Sequence, residues 1–164
     1  MKKRPNKITP GGFIWTLSII HLGLFVGPLV FGIIAYRESE VTNLGFSGMD
    51  DLYMIVVPVF ATVSIVLGNF IFIQTIRNIP RTSSLKRKLE QYQTASIIRF
   101  GLAVAPVLFG IISFLITQNL LFLLFSGIIL LYFLILRPTK KKIEDTLSLT
   151  GSDRKQFNKL NQPL

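Results

Sequence analysis

The chain has 164 residues, of which 50% are hydrophobic and only 16% are charged, whereas an average soluble domain carries about 25% charged residues. It holds 14 Phe, 12 Gly, one His and no Cys. These counts exclude a disulfide scaffold, a thiol enzyme, an iron–sulfur protein, a zinc finger and a His-rich metal site. The net charge of +10 would suggest nucleic acid on a soluble chain, so the placement of the charges decides.

Taken in chain order, residues 1–12 form a basic N-terminus with Lys2, Lys3, Arg4 and Lys7. Residues 13–36 follow, 24 positions without Lys, Arg, Asp or Glu, and residues 52–76 give 25 more. Residues 100–116 and 120–136 are two further uncharged runs of 17 each. About 20 residues of helix cross a ~30 Å hydrocarbon core. The first two runs are long enough, and the last two stand at the lower limit and are expected to borrow flanking residues. The segments between and after them are too small to cover so much apolar surface with a soluble shell. A cleaved leader is not expected at the first run, which exceeds the ~7–15 residues of a signal-peptide core and has no small-x-small site after it. The expected organisation is a first helical hairpin over 13–76, a basic linker over 77–97, a second hairpin over 98–136 and a tail over 137–164.

Four crossings put the N-terminus, the 77–99 segment and the tail on one side. That side collects 17 of the 18 Lys and Arg residues, so the positive-inside rule predicts that both termini are cytoplasmic, at a bacterial inner membrane. The basic runs are read as topology signals. Anionic headgroups are the functional alternative, at about 1 kcal/mol per Lys or Arg, and no nucleic-acid partner is expected.

Residues 16–36 align with residues 94–114 at an offset of 78, with 12 of 21 positions identical. Pro28 falls on Pro106, Gly23 on Gly101 and Gly32 on Gly110, a register that shared apolar composition would not produce. The predicted fold is therefore an all-α membrane protein of four transmembrane helices, arranged as two parallel-repeat hairpins, N-in and C-in. Gly23-x-x-x-Gly27 recurs as Gly101-x-x-x-Ala105. Small residues four apart let helix backbones approach closely in lipid, so these four are the candidate packing positions, between spans one and three or against a second copy of the chain. Pro28 and Pro106 lie on the opposite face with Gly32 and Gly110, and each removes one helical hydrogen bond.

An ionisable group inside a membrane is a functional candidate by default. His21 is the one such group in the spans, and the repeat equates it with Arg99; both are expected about one turn inside the cytoplasmic face, snorkelling toward it. A proton path or a quinone site at His21 is set against a packing role. A proton path wants a partner carboxylate, and the spans hold none. Asn69 is the third intramembrane polar candidate, suited to a hydrogen bond between helices. No nucleotide-binding, serine-hydrolase or zinc-protease motif occurs, so no enzyme activity, cofactor or metal is expected. Asp50-Asp51 is read as a solvated turn, with Ser47 or Asp50 capping span two.

On the cytoplasmic side, Leu85, Leu89 and Tyr92 make an apolar stripe on a short helix capped by Ser83 or Ser84, lying on the membrane or running into span three. Arg137-Pro138-Thr139 reads as a stop and a new start. Ile143 and Leu147 suggest one short helix, and Thr150 with Asp153 suggests a capping box opening a second, with Phe157 and Leu160 apolar. Docking and a mobile tail are both open.

The run from Lys88 to Arg99, KLEQYQTASIIR, then Pro106 to Gly110, then Arg137-Pro138-Thr139-Lys140, resembles an uncharacterised family of small four-span inner-membrane proteins of Bacteroidetes-type bacteria. The resemblance covers the second half, and the first half through the repeat; it implies a bacterial inner membrane and no assigned function. Members of that family carry a Glu where this chain has Val104, a departure that opposes ion carriage. The two-hairpin plan is also similar to rotary-ATPase proteolipids, but those need a carboxylate in the membrane and have termini on the other side. The expected function is that of a structural or accessory subunit of a membrane assembly, acting by helix packing on lipid and on a membrane-protein partner or itself. The alternatives are a small oligomeric transporter or channel, with His21 and Asn69 near a path, and, behind it, a membrane-embedded enzyme.

Overall fold

The computed structural model describes residues 9–39, 43–44 and 52–162. Within them the chain is helical: α1 (Pro10–Glu38), α2 (Leu52–Arg77), α3 (Leu85–Thr117), α4 (Leu120–Ile135), α5 (Lys140–Thr146) and α6 (Gly151–Asn158). Local chemistry sets most of the boundaries. Thr9 caps α1 by accepting from Gly12 N at 3.1 Å, with Pro10 following it, where a missing N–H costs nothing. Ser84 caps α3. Gln118 ends it in the left-handed region at φ 56°, returning its N–H to the Phe114 carbonyl at 2.7 Å. Asn119 at once caps α4 through Leu121 N at 3.1 Å. Pro138 stops α4, because a helical bond to the Leu134 carbonyl would need the N–H that Pro138 lacks. Thr139 then caps α5. The proposed caps of α2, Ser47 and Asp50, lie outside the described residues, as does the Asp50-Asp51 pair.

The amphipathic segment at Leu85 does not lie flat on a surface. It is the first part of α3, a single helix of 33 residues and therefore about 50 Å long. α3 is the centre of the fold. α2 packs along one side of it, α4 is its hairpin partner, and α1 lies on α3 and α4. Of the first expected hairpin, over 13–76, α1 and α2 each pack more extensively on α3 than on each other. α3 and α4 form a tight hairpin, joined by Gln118 and Asn119 alone.

The molecule has two distinct ends. At one, the starts of α1 and α3 and the finish of α4 meet α5 and α6: Gly11 N donates to Leu160 O at 2.9 Å, and Lys88 pairs with Asp153 at 2.7 Å. The described Lys and Arg residues outside the helices, Arg81, Arg137 and Lys159, belong to the segments at this end. At the other, Asn43 joins the α3–α4 turn, donating to Gln118 O and accepting from Leu120 N, each at 2.9 Å, while Ser39 Oγ bonds Gln118 Oε1.

The tail docks. Ile143, Leu149 and Phe157 are buried with Phe13, Leu17, Leu85, Leu89 and Tyr92 in one apolar cluster at the basic end. Thr150 stands at the N-cap of α6 but makes no side-chain cap bond. The expected capping box is not formed, because Asp153 is drawn to Lys88 instead. A second cluster, with Val107, Ile111, Phe114 and Phe122, fills the space between helices toward the other end.

α1, α2 and α3 are each long and apolar enough to cross a membrane. α4 has 16 residues, about 24 Å, and makes a fourth crossing only together with α5, from which it is bent by 75°. Many large apolar side chains point outward, among them Trp15, Leu22, Ile33, Ile55, Val66, Phe70, Ile128 and Leu131. A shell of this kind is solvated by lipid and not by water.

Candidate functional site

The polar side chains inside the bundle are the candidates for chemistry, and His21 is foremost. α1 turns it inward, where it is 4% exposed. Its ring stacks on Phe133 with centroids 4.4 Å apart and planes 6° apart, and meets Phe100 edge-on at 5.1 Å. Nε2 lies 2.9 Å from the Phe133 carbonyl oxygen. A carbonyl only accepts, so Nε2 carries the proton and donates. Phe133 is in the last turn of α4, where carbonyls run short of helical partners; its oxygen also accepts from the C-cap Leu136 N at 2.9 Å. The same terminus is completed by Lys142, whose ammonium donates to Ile135 O and to Arg137 O. One imidazole and one ammonium thus add donors to the negative end of α4, beside the backbone N–H groups of Leu136 and Arg137. His21 does not snorkel; it is a cap supplied from another helix. A groove of about 380 Å3 between α1 and α4 reaches His21, with Trp15 and Leu22 on one wall and Arg137 at the rim.

Asn69 joins α2 to α4, donating from Nδ2 to the Tyr132 hydroxyl at 3.0 Å. Arg99 reaches toward α2, with its guanidinium carbon 4.8 Å from the Phe72 ring centroid, a cation–π contact. Its Nε is buried without a hydrogen-bond partner. The repeat partners His21 and Arg99 therefore serve different helices, α4 and α2. Of the three, His21 lines the groove between α1 and α4 and Asn69 and Arg99 do not, and no group of three or more metal-ligating side chains occurs among the described residues.

The candidate packing positions fall on open surface. A Cβ at Gly23, Gly27 or Gly101 would meet nothing within 4 Å. Ala105 is partly buried. The crossing of spans one and three at these residues, one of the two expected arrangements, is not made within the chain. Close approach occurs elsewhere. Gly68 of α2 sits on α3, where a Cβ would be 3.3 Å from Leu102 Cβ and 3.6 Å from Arg99 O. Gly110 of α3 sits on α4, where a Cβ would overlap Ser126 Oγ and lie 3.2 Å from the Phe122 carbonyl. Gly32 faces Ile111 and Leu123, and Pro28 and Pro106 are buried. The inward side of α1 and α3 is thus the proline side, opposite to the Gly-x-x-x-small motif.

No family model matches the chain, no curated protein matches it, and no solved structure matches its fold.

Two features that sequence reasoning passed over, involving four residues, had a readable signal. Ala61, Ser64 and Gly68 are spaced along one face of α2 and all three are buried, a small-residue stripe of the kind that brings helices together. Ser126, the one hydroxyl in the middle of α4, lies 3.1 Å from Val107 O and 2.9 Å from Phe122 O. It bridges the hairpin from inside. Ser113 and Thr117 donate to carbonyls of their own helix, and Thr117 Oγ1 also accepts from Asn119 N at 3.3 Å.

Proposed function

We propose that this chain is a four-span protein of a bacterial inner membrane, with both termini in the cytoplasm, and that it acts by helix packing as a structural or accessory subunit of a membrane assembly. The observation that carries the reading is a division of labour among its residues. Three inward polar groups, His21, Asn69 and Ser126, are taken up by bonds between the chain's own helices. Meanwhile Gly23, Gly27 and Gly101 leave backbone uncovered on the outer surface. In lipid, small-residue surfaces of this type associate by close van der Waals contact, and a partner helix fits them better than acyl chains do.

The orientation rests on charge: the basic end carries the residues that the positive-inside rule assigns to the cytoplasm. The resemblance to small four-span proteins of Bacteroidetes-type bacteria points to the same compartment. The 78-residue repeat fits a duplicated ancestor whose halves diverged in packing, since Gly32 and Gly110 both face inward while only His21, and not Arg99, caps α4. Transport is disfavoured because a solute path needs polar groups left available to the solute.

The test is native mass measurement of the protein extracted in mild detergent, for the wild type and for G23L/G27L. Leucines there meet open space within the chain, so the fold should be kept. The expected result is a complex larger than the monomer that the double variant loses. A wild-type monomer that also passes ions or solutes in liposomes would overturn the proposal.

A further inference from the structure

The basic end contains a cavity of about 550 Å3. It is lined by Arg77 at the end of α2, Arg81 of the α2–α3 connection, Lys88 of α3, Thr146 at the end of α5, and Ser148 and Thr150 of the turn between α5 and α6. Ile79 and Leu147 supply apolar wall. No carboxylate lines it. Lys88 is held by Asp153 at 2.7 Å, whereas Arg77 and Arg81 have no ion-pair partner among the described residues. The cavity is therefore electropositive and rich in hydroxyl donors, and it is held open by a packed structure: α5 and α6 are fixed by the buried Ile143, Leu149 and Phe157, and the Ser148 backbone is set at φ 47°.

We propose that this cavity binds a phosphoryl group, with Arg77 and Arg81 as its charge partners and the α5–α6 turn hydroxyls as donors. Guanidinium groups pair with tetrahedral oxyanions through two parallel N–H bonds, and hydroxyls add donors around the same centre. The volume falls within the ~300–1,000 Å3 of small-molecule sites, enough for a phosphoryl group with its ester substituent. Arg77 directly follows the apolar α2 sequence, which puts the site where a leaflet's phosphates would lie, and the apolar wall suits the glycerol side of a headgroup. A lipid phosphate and a free phosphate present the same chemistry.

The experiment uses the full-length protein in nanodiscs and reads its thermal midpoint and its bound lipid by native mass measurement. In one arm the discs hold phosphatidylcholine alone or with phosphatidic acid; in the other, phosphatidylcholine discs receive inorganic phosphate or chloride at equal ionic strength. R77Q/R81Q is compared with K140Q/K141Q, which removes the same charge outside the cavity. A lipid site predicts that phosphatidic acid raises the midpoint and is retained, and that R77Q/R81Q loses about tenfold in retention while K140Q/K141Q loses much less. A free-phosphate site predicts the same contrast in the second arm only. R77K/R81K, which keeps charge but not the planar fork, should fall between. The proposal is overturned if neither source shifts the midpoint, or if K140Q/K141Q matches the loss in R77Q/R81Q, which would leave only general attraction to a charged surface.

Discussion

Replacing His21 by Ala removes three things at once. The stack on Phe133 and the edge contact with Phe100 are aromatic pairs worth ~0.5–1.5 kcal/mol each. The bond to the Phe133 carbonyl contributes about 1 kcal/mol. This sits at the low end for a buried acceptor, because the same oxygen also accepts from Leu136 N at 2.9 Å and is not orphaned. The lost ring leaves a void whose collapse decides the remainder. The sum is on the order of 3 kcal/mol, or roughly 6–12 °C in thermal midpoint for a chain of this size. His21→Phe keeps a ring of similar size and deletes only the bond, so it should cost about 1 kcal/mol, or ~2–4 °C. The assay is thermal unfolding of the purified protein in one detergent, followed by circular dichroism, with liposome proton flux measured beside it. The reasoning is refuted if His21→Ala shifts the midpoint by less than about 2 °C, if Phe is as damaging as Ala, or if either variant alters a flux that the wild type supports.

Gly110→Leu should be among the most damaging single changes, since any side chain there meets the Phe122 carbonyl and displaces Ser126; overpacking of this kind costs about 1–3 kcal/mol or more, and detergent melts should show it while Gly27→Leu leaves the midpoint unchanged. Asn69→Leu breaks the tie between α2 and α4, and a double-mutant cycle with Tyr132→Phe should return a coupling of about 0.6 kcal/mol; a value near zero would mean that the pair is not formed in the membrane. Phe157 is fully buried beneath the tail, so Phe157→Ala should cost ~3–5 kcal/mol locally and release α5 and α6. Limited trypsin digestion should then cut at Lys140, Lys141 or Lys142 in the variant well before the wild type.

What could be read from the residues and what could not have a common physical root. Uncharged runs and basic flanks report how each segment partitions between oil and water, and they located the apolar helices, while Ser83 or Ser84 and the stop and start at Arg137-Pro138-Thr139 marked helix boundaries on the basic side. They say little about which helix touches which, because lipid and protein interior are equally apolar and both faces of α1 look alike to a hydropathy scale. The Gly23-x-x-x-Gly27 motif is therefore legible as a surface fit for packing, but its partner is not. The stripe Ala61, Ser64, Gly68 carried the contact that α2 actually makes with α3. His21 was legible as exceptional, yet its bond partner lies 112 positions away, and only the juxtaposition of α1 with the frayed end of α4 gives it a capping role. The α5–α6 cavity joins segments some 70 residues apart, and no local pattern announces it.

The central claim is that the bundle sits across a bilayer with its basic end and docked tail on one side and the α3–α4 turn on the other. Because the chain has no Cys, single cysteines report position without background. Leu44→Cys, Thr82→Cys and Ser152→Cys all fall on exposed residues, and each is treated with a membrane-impermeant maleimide in right-side-out and in inverted inner-membrane vesicles. The account predicts labelling at 44 only in right-side-out vesicles, and at 82 and 152 only in inverted ones. Labelling of 44 and 152 from the same side would contradict it.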